Sequence, residues 1–318
     1  MNYLKNLKKI EGDASFRKFY RKRNKNFSSI VVFAKKEKFK NLLVYDAINK
    51  ILIINKILAP TTYYENYNKN FIEIEDFGDN SIYKILKKKQ TKKFIYLKKA
   101  IELLNQLQII KNRKIKSFKK DTYIIPKYSK AILMKEANLF CNWYIKDKLL
   151  KNERISFIKE FEKIIKDLVN NLKLRNNIFV HRDFHVSNLM LVKKRIGIID
   201  SQDALIGNKA YDLASLVDDV RLKTSESLKK KMFNFYLSKN KKINKKKFKN
   251  DFEILSVLRN LKIIGIFTRL AIRDGKIKYL KLIPYAWKLI SIRINKNKVF
   301  KNLNDLLSQN FKKELNAN

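Results

Sequence analysis

One stretch near the middle of the chain constrains the fold more than any other part of the sequence. It reads H-R-D-F-H-V-S-N over residues 181–188, the apolar run Leu189–Leu191 follows it, and Asp200 ends the next apolar run. Short apolar runs separated by turn-forming residues are typical of short buried strands. The pattern therefore predicts a loop closed by two short strands, which bring Asp183, Asn188 and Asp200 to one edge of a cleft.

The three residues at this edge have side chains that suit phosphoryl transfer. In protein kinases, the H-R-D-x-x-x-x-N aspartate accepts the proton of the attacking hydroxyl, while the asparagine and a later aspartate hold Mg²⁺. A carboxylate such as that of Asp183 suits the first role. The oxygen atoms of Asn188 and Asp200 are hard ligands that suit the second. The joint spacing predicts Asp183 as the catalytic base, although each residue alone could simply cap a turn or end a strand.

The residues around these three are predicted to support the loop. Both histidines of the chain, His181 and His185, lie inside it, although the rest of the sequence avoids histidine. They are predicted to pack and hydrogen-bond rather than to act as acid or base. Asp212 begins a predicted helix, where the helix dipole favours a carboxylate. We expect it to brace the loop through Arg182 or His181.

A second candidate site lies near the N-terminus, ahead of two predicted strands. A glycine followed by small polar residues lets backbone N–H groups approach phosphate oxygens. The residues predicted to line the nucleotide phosphates are Gly12, Asp13, Ala14 and Ser15, with Arg17 nearby. Protein kinases carry a phosphate-binding lysine on their third strand. Lys35 comes slightly late for that position, and in a chain this rich in lysine its presence proves little.

Hydrophobic periodicity divides the chain into two parts. The first part reads as strands at 14–21, 28–34 and 71–75, a turn at 22–27 and one helix at 37–56. The second is mainly helical around a central island of strands at 178–180, 189–192 and 196–199. Its predicted helices span 91–110, 131–150, 156–174, 209–222, 225–238, 251–273, 277–290 and 300–314. The pattern predicts an α+β fold with a small N-terminal lobe, residues 1–78, and a larger helical lobe, residues 79–318.

The net charge of +44 suggests nucleic acid or an anionic membrane as a partner. The lysines are, however, spread along nearly the whole chain, and there are only six glycines and three prolines. This favours a general bias in amino-acid usage, rather than a binding surface, as the cause of the charge. No apolar run reaches the roughly 18 residues of a membrane span, and the charged N-terminus lacks a signal-peptide pattern. A single cysteine, Cys141, excludes an internal disulfide framework and a cysteine zinc cluster. We therefore expect a cytoplasmic protein with small-molecule partners rather than nucleic acid.

At these residues the chain resembles the aminoglycoside phosphotransferase superfamily. Within it, the chain is most similar to the bacterial kinases of cell-wall recycling that phosphorylate the anomeric hydroxyl of N-acetylmuramate and N-acetylglucosamine. The matching segments span almost the whole chain in the expected order. They are GDASFRKFYR (12–21), IEDFGD (74–79), EANLFCNWYI (136–145), VHRDFHVSNLML (180–191), IIDSQDALIGNKAYDLASLVDD (198–219) and KIIGIFTRLAIRDGKIKYL (262–280).

The resemblance implies a two-lobed protein-kinase-like fold that uses ATP and Mg²⁺ and has an amino sugar as acceptor. It implies that the adenine lies near residues 74–78, where Glu75 is the candidate contact, and that the phosphates lie under residues 12–16. The first lobe would bind the nucleotide, and the second would carry catalysis and substrate binding. Asp203, Arg269 and Asp274 are candidates for the substrate side.

Two alternatives remain open from the sequence. The acceptor could be an aminoglycoside or a choline-like alcohol, although such cations need an acidic pocket and the net charge of +44 disfavours one. The chain could also be a basic nucleotide- or RNA-binding protein without catalysis, which the intact Asp183, Asn188 and Asp200 argue against. Protein kinase activity is disfavoured because no A-P-E segment follows Asp200.

Overall fold

The structure, a computed structural model, describes residues 7–10, 16–24, 27–35, 40–88, 93–116 and 122–316. The predicted phosphate-loop residues Gly12, Asp13, Ala14 and Ser15 lie outside these ranges. The chain forms two compact units. The first combines Met1–Pro126 with Phe179–Leu205, and the second combines Lys127–Ile178 with Ile206–Asn318. The predicted lobe boundary after residue 78 lies inside the first unit, and it stays a prediction.

The first unit begins with a five-stranded antiparallel sheet in the order β1-β2-β3-β5-β4. Its strands are β1 (Leu7–Ile10), β2 (Lys18–Asn24), β3 (Phe27–Phe33), β4 (Thr62–Asn66) and β5 (Phe71–Glu75). Helix α1 (Lys40–Ile54) packs on one face, because Val32 and Ile72 of the sheet form a buried cluster with Leu42 and Tyr45 of the helix. Alternate residues of a strand point to opposite faces, so this apolar alternation fixes which face meets α1.

Four further elements follow in the same unit. They are α2 (Ile82–Lys88), α3 (Lys93–Gln108), β6 (Lys114–Lys116) and β7 (Thr122–Ile124). Helix α3 carries the apolar stripe that the sequence predicts, with Leu97, Ile101 and Leu104 fully buried. This spacing of three to four residues is the pattern that an amphipathic helix turns toward a core.

The chain returns to the first unit as an antiparallel hairpin. Strand β8 (Asn176–Val180) leads into the 181–188 loop, and β9 (Leu189–Val192) pairs with β10 (Arg195–Ile198). The hairpin is tied to earlier segments, since the Ile198 N–H donates to the Leu58 carbonyl at 2.8 Å. Gly197 allows close packing here, because a Cβ at this position would lie 2.6 Å from Cε2 of Phe77.

The second unit is mainly helical. Strand β11 (Leu205–Asn208) leads into it, and its helices are α4 (Lys130–Ala137), α5 (Lys151–Asn170), α6 (Tyr211–Val217), α7 (Glu226–Lys239), α8 (Lys245–Asp274), α9 (Ile283–Ile294) and α10 (Lys301–Asn316). Helix α8 is buried on most sides, as its apolar sequence predicts. At Gly265 a Cβ would lie 2.2 Å from the Leu139 carbonyl oxygen, so glycine permits the close approach of α8 to that segment.

Several predicted boundaries are wrong for local reasons. The predicted turn at 22–27 is mostly strand, because Lys22 and Arg23 continue β2 and pair in register with Ser29 and Ser28. The predicted helix at 131–150 changes form after α4, where it continues as a π-helical turn over Phe140–Tyr144. Among the described residues, no helix is both long and apolar enough to cross a membrane. The α+β class predicted from the sequence is confirmed.

Candidate active site

The 181–188 loop is closed by its own hydrogen bonds. The Asn188 side-chain Nδ2 donates to the Asp183 carbonyl at 3.0 Å, and the His185 N–H donates to the same oxygen at 3.0 Å. The Ile199 N–H donates to the Asn188 carbonyl at 3.0 Å, directly before Asp200. The β9–β10 hairpin thus brings Asp200 next to the 181–188 loop, so Asp183, Asn188 and Asp200 occupy one corner of the first unit.

Two residues of this corner have a left-handed backbone. Arg182 has a φ of 73° and Asp200 a φ of 64°. Residues other than glycine seldom adopt this region, although aspartate tolerates it better than most. Such conformations cost on the order of 1 kcal/mol or more, and they cluster at functional sites where the surrounding structure imposes them. Arg182 directly precedes the predicted catalytic base Asp183, and Asp200 is itself a predicted metal ligand.

Asp200 is bound by a buried guanidinium. Arg17 Nη2 lies 2.7 Å from Asp200 Oδ1, and Arg17 Nη1 donates to Gln202 Oε1 at 2.8 Å. Gln202 Nε2 donates to Asp200 Oδ1 at 3.2 Å and to Asp203 Oδ2 at 2.9 Å. The side chain of Arg17 is 5% exposed and that of Asp200 is 38% exposed, so the aspartate is the more accessible partner.

A cavity of about 270 Å³ opens beside this corner within the first unit. Asn188 and Asp200 form one part of its wall, and Glu75 and Asp76 form another. The apolar wall residues come from the strands, the α1 side and the hairpin: Ile10, Phe19, Ile30, Tyr45, Ile74, Phe77, Met190 and Ile199. An apolar cleft with a few convergent polar groups is the usual form of a small-molecule site.

A second ionic group lies at the cavity wall. Arg21 Nε lies 2.6 Å from Asp76 Oδ2, and its Nη1 donates to Asp79 Oδ2 at 2.9 Å. Burial alone would raise the pKa of the Asp76 carboxyl, but hydrogen bonds from Arg21, Ser28 and the Gly78 N–H hold the pKa below its usual value. This arrangement ties β2 to the turn after β5 at the cavity wall.

The candidate supporting residues differ in their placement. His181 is fully buried, and burial lowers its pKa although Asp183 and Asp200 act in the opposite direction, so the ring is neutral near pH 7. His185 Nε2 lies 3.5 Å from Asn188 Nδ2. Arg182 Nη1 donates to the Asp203 carbonyl at 3.1 Å. These placements agree with packing and support of the loop, which remain predicted roles.

The remaining candidates belong to the second unit. Asp212 is fully buried in the first turn of α6. Burial lowers the pKa of Arg269, which lies near the end of α8. Asp274 pairs with Arg273 at 2.7 Å on the surface. Their predicted support and substrate roles stay predictions.

Sequence reasoning missed Gln202, Tyr45 and the Asn49–Ser201 pair. Ser201 Oγ donates to Asn49 Oδ1 at 2.5 Å, which fastens the segment after Asp200 to α1. Residue spacing carries no signal for contacts between positions 152 residues apart. The only available signal was that Gln202 lies two residues after the candidate metal ligand.

The donor set at this corner fits a magnesium ion held jointly with a nucleotide. The described residues contain no cluster of three or more histidine, cysteine, aspartate or glutamate side chains that could hold a metal alone. Mg²⁺ is usually bound by one or two side-chain oxygens together with substrate phosphates and water. Nδ2 of Asn188 donates to the Asp183 carbonyl, so the side-chain oxygen of Asn188 is the atom that can bind an ion. Asp200 accepts its two hydrogen bonds from Arg17 and Gln202 at Oδ1.

A known protein family matches most of the chain. The model of the phosphotransferase enzyme family (APH) matches residues 6–242. The chain belongs to this phosphotransferase family. It is therefore an enzyme that uses a nucleotide and has an alcohol group as acceptor, as the sequence predicted.

Two curated relatives of this phosphotransferase are named N-acetylmuramate/N-acetylglucosamine kinase. One, from Neisseria meningitidis serogroup B, is 29% identical over 280 residues, covering 86% of this chain and 80% of the relative. The other, from Pseudomonas putida, is 24% identical over 309 residues, covering 95% of this chain and 88% of the relative. Among solved structures, ADP-bound aminoglycoside phosphotransferase APH(2'')-Ib has a TM-score of 0.57 at 16% identity, covering 91% and 95% of the two chains. The protein-kinase-like fold that the sequence predicted is thereby confirmed.

Proposed function

We propose that this phosphotransferase moves the γ-phosphoryl group of ATP to the anomeric hydroxyl of an amino sugar of the N-acetylmuramate or N-acetylglucosamine type. The proposal depends on one observation. The hydrogen bonds of the loop and the hairpin bring Asp183, Asn188 and Asp200 to one corner, and a cavity lies beside Asn188 and Asp200. The names of the two curated relatives support the acceptor class.

In the proposed reaction, Asp183 accepts the proton of the acceptor hydroxyl while the hydroxyl oxygen attacks the γ-phosphorus. The bond from the γ-phosphorus to the bridging oxygen breaks, and ADP leaves with that oxygen. A positioned carboxylate of this kind contributes a factor of about 10² to 10⁴ to the rate. The backbone carbonyl of Asp183 accepts hydrogen bonds from Asn188 and His185, so the backbone at the proposed base is fixed before the acceptor arrives.

The nucleotide would be held by the cavity and by the residues at its two ends. The apolar walls suit the adenine, and Glu75, at the end of β5, is the candidate contact at that end. Asn188 and Asp200 would hold Mg²⁺, which neutralises charge on the phosphate oxygens when it is bound. Gly12, Asp13, Ala14 and Ser15 remain the candidate phosphate loop. Asp203, Arg269 and Asp274 remain candidates for the acceptor.

A set of matched acceptors tests the proposal. The protein is incubated with Mg-ATP and N-acetylmuramate, N-acetylglucosamine, their methyl glycosides, an aminoglycoside or choline, and products are followed by ³¹P NMR. We expect phosphate on the free sugars and none on the methyl glycosides, because the glycosidic methyl group blocks the anomeric oxygen. Equal phosphorylation of the methyl glycosides would contradict the anomeric position. Phosphorylation of the aminoglycoside or choline alone would contradict the acceptor class.

A further inference from the structure

We propose that Arg17 supplies the cation for the nucleotide phosphates in this chain, in the role that protein kinases give to a strand lysine. We further propose that Arg17 and Mg²⁺ compete for Asp200. This inference rests on the proposed function, because it concerns how the same cavity receives a magnesium nucleotide.

The third strand carries the lysine in protein kinases, and here the described strand β3, residues 27–33, contains no lysine. Ile30 of β3 lines the cavity, and Val32 and Ala34 on the same face are buried against α1. Lys35 is exposed, and it lines a groove with Lys18 and Tyr20, which lie on the opposite face. Lys35, two residues beyond the end of β3, thus lines this groove and not the cavity beside Asp200.

The carboxylate that pairs with that lysine in protein kinases also has no equivalent on α1. In those enzymes the lysine is held by a glutamate on the neighbouring helix. The only acidic residue of α1 is Asp46, and it pairs with Lys50 of the same helix at 2.6 Å. Toward the cavity α1 presents Tyr45, whose pKa is raised to about 12 by burial, so it is a neutral phenol. Within β3 and α1, neither partner of the lysine–glutamate pair is therefore present.

Arg17 has the position and the support that the role requires. Its guanidinium lies 5.6 Å from the ring centre of Phe19 and 5.9 Å from that of Tyr45, and Gln202 holds Nη1 from the other side. Cations are stabilised over aromatic faces. The planar guanidinium also matches phosphate oxygens in two-point contacts, which an ammonium cannot make. The side chain is held in place before a nucleotide binds.

The pairing of Arg17 with Asp200 implies that both side chains change partners when a magnesium nucleotide binds. A buried guanidinium is costly without a counter-charge, and in the nucleotide-free protein Asp200 Oδ1 provides it at 2.7 Å. A magnesium nucleotide brings both a cation for Asp200 and anionic oxygens for Arg17. Arg17 and Asp200 would then each keep a partner of opposite charge throughout binding. In the free protein, however, the positive charge of Arg17 opposes a metal ion at Asp200.

The test uses binding rather than turnover. Calorimetry measures the affinity for ADP with Mg²⁺ and for adenosine, and electron paramagnetic resonance measures Mn²⁺ binding to the nucleotide-free protein. For Arg17→Met we expect ADP affinity to fall at least tenfold, adenosine affinity to stay within twofold, and Mn²⁺ affinity to rise severalfold. Arg17→Lys should recover part of the ADP affinity. Lys35→Met is the matched control and should leave all three affinities unchanged.

Three results would overturn the inference. They are unchanged ADP affinity in Arg17→Met, an equal loss of ADP and adenosine affinity, or Mn²⁺ affinity that does not rise. If Arg17→Met does not fold, Gln202→Met replaces it. That variant should weaken ADP binding without affecting adenosine, and equal effects on both ligands would likewise overturn the inference. Failure of the proposed function is distinct, because the wild-type protein would then bind ADP but phosphorylate none of the amino sugars.

Discussion

Two aspartates, one in each unit, are both bound by an arginine, yet their surroundings differ. Asp200 in the first unit is 38% exposed at the cavity wall, and Arg17 and Gln202 bind it at Oδ1. Asp218 in the second unit is 1% exposed, and both its oxygens are engaged. Arg293 donates to Oδ1 and Oδ2 at 3.0 and 2.8 Å, Lys229 Nζ lies 3.1 Å from Oδ1, and Ser256 Oγ donates to Oδ2 at 2.6 Å.

The difference separates a carboxylate that can take a ligand from one that holds helices together. Asp218 joins the end of α6 to α7, α8 and α9 through Lys229, Ser256 and Arg293. Burial would raise the pKa of Asp218, but Lys229 and Arg293 hold it below its usual value, so the carboxylate stays charged. Asp200 keeps one side toward the cavity. Accessibility, rather than the presence of an arginine, distinguishes the two.

The largest effect should come from removing the charge of Asp200. Asp200→Asn should lower kcat/KM by about 10³-fold or more, because a bound metal contributes several kcal/mol to phosphoryl transfer. The thermal unfolding midpoint should fall by less than in an Asp218→Asn variant, because Asp200→Asn leaves one cation, the buried guanidinium of Arg17, without its counter-charge rather than two. Steady-state kinetics and differential scanning calorimetry measure the two quantities. A fully active Asp200→Asn variant would show that catalysis does not need the Asp200 carboxylate, which would contradict the functional role given to it in this comparison.

The opposite outcome is expected at Asp218. Asp218→Asn should lower the free energy of unfolding by about 3 to 5 kcal/mol, because it leaves the buried charges of Lys229 and Arg293 without their partner. Urea denaturation measures this loss. At a low temperature where Asp218→Asn remains folded, its kcat should stay within a few-fold of the wild-type value. A stable but inactive Asp218→Asn variant would contradict the division between the two aspartates.

A smaller effect is expected from pH. The pKa of His181 is lowered by burial, so the unfolded chain binds a proton that the folded chain resists. Stability should therefore fall as pH falls below about 6.5, by at most about 1.4 kcal/mol per pH unit. Asp218 should act in a separate window below about pH 4, because its pKa is also lowered in the folded state. Urea midpoints at pH 7.5, 6.5 and 5.5 test the first window.

The control for this pH effect is His181→Asn, which has no titratable group at that position. The slope between pH 6.5 and 5.5 should decrease in this variant, whatever its absolute stability. An unchanged slope would show that His181 does not cause the wild-type dependence.

The smallest effect should come from an exposed ion pair in the second unit. Lys296 Nζ lies 2.6 Å from Glu226 Oε2, but both side chains are 60% exposed. Pairs of this kind contribute little because solvent screens them. Glu226→Gln should change the free energy of unfolding by roughly 0.5 kcal/mol or less. A loss as large as that expected for Asp218→Asn would show that burial is not what separates these pairs.

The sequence predicted the local features of the molecule well. The hairpin that carries Asn188 and Asp200 follows from two short apolar runs, and α3 and α8 follow from helical periodicity. These features depend on residues close together in the chain. Strand β1 escaped prediction because its pattern, Leu-Lys-Lys-Ile, has exposed lysines at its centre.

Contacts between distant residues could not be read from the sequence. Arg17 and Asp200 are 183 residues apart, and Arg21 and Asp76 are 55 apart. The motif spacing predicts Asp200 as a cleft residue, but no spacing rule predicts that Asp218, in the same aspartate-rich segment, is buried among cations. That distinction arises from packing, because only folding decides which carboxylate remains accessible.

The most direct test of the account is the kcat of Asp183→Asn compared with that of the wild type, with Mg-ATP and N-acetylmuramate at saturation. Asparagine keeps the shape of the side chain and cannot accept the hydroxyl proton. We expect kcat to fall by about 10² to 10⁴ while ADP affinity and unfolding temperature stay unchanged. A variant that transfers phosphate at the wild-type rate would contradict Asp183 as the base.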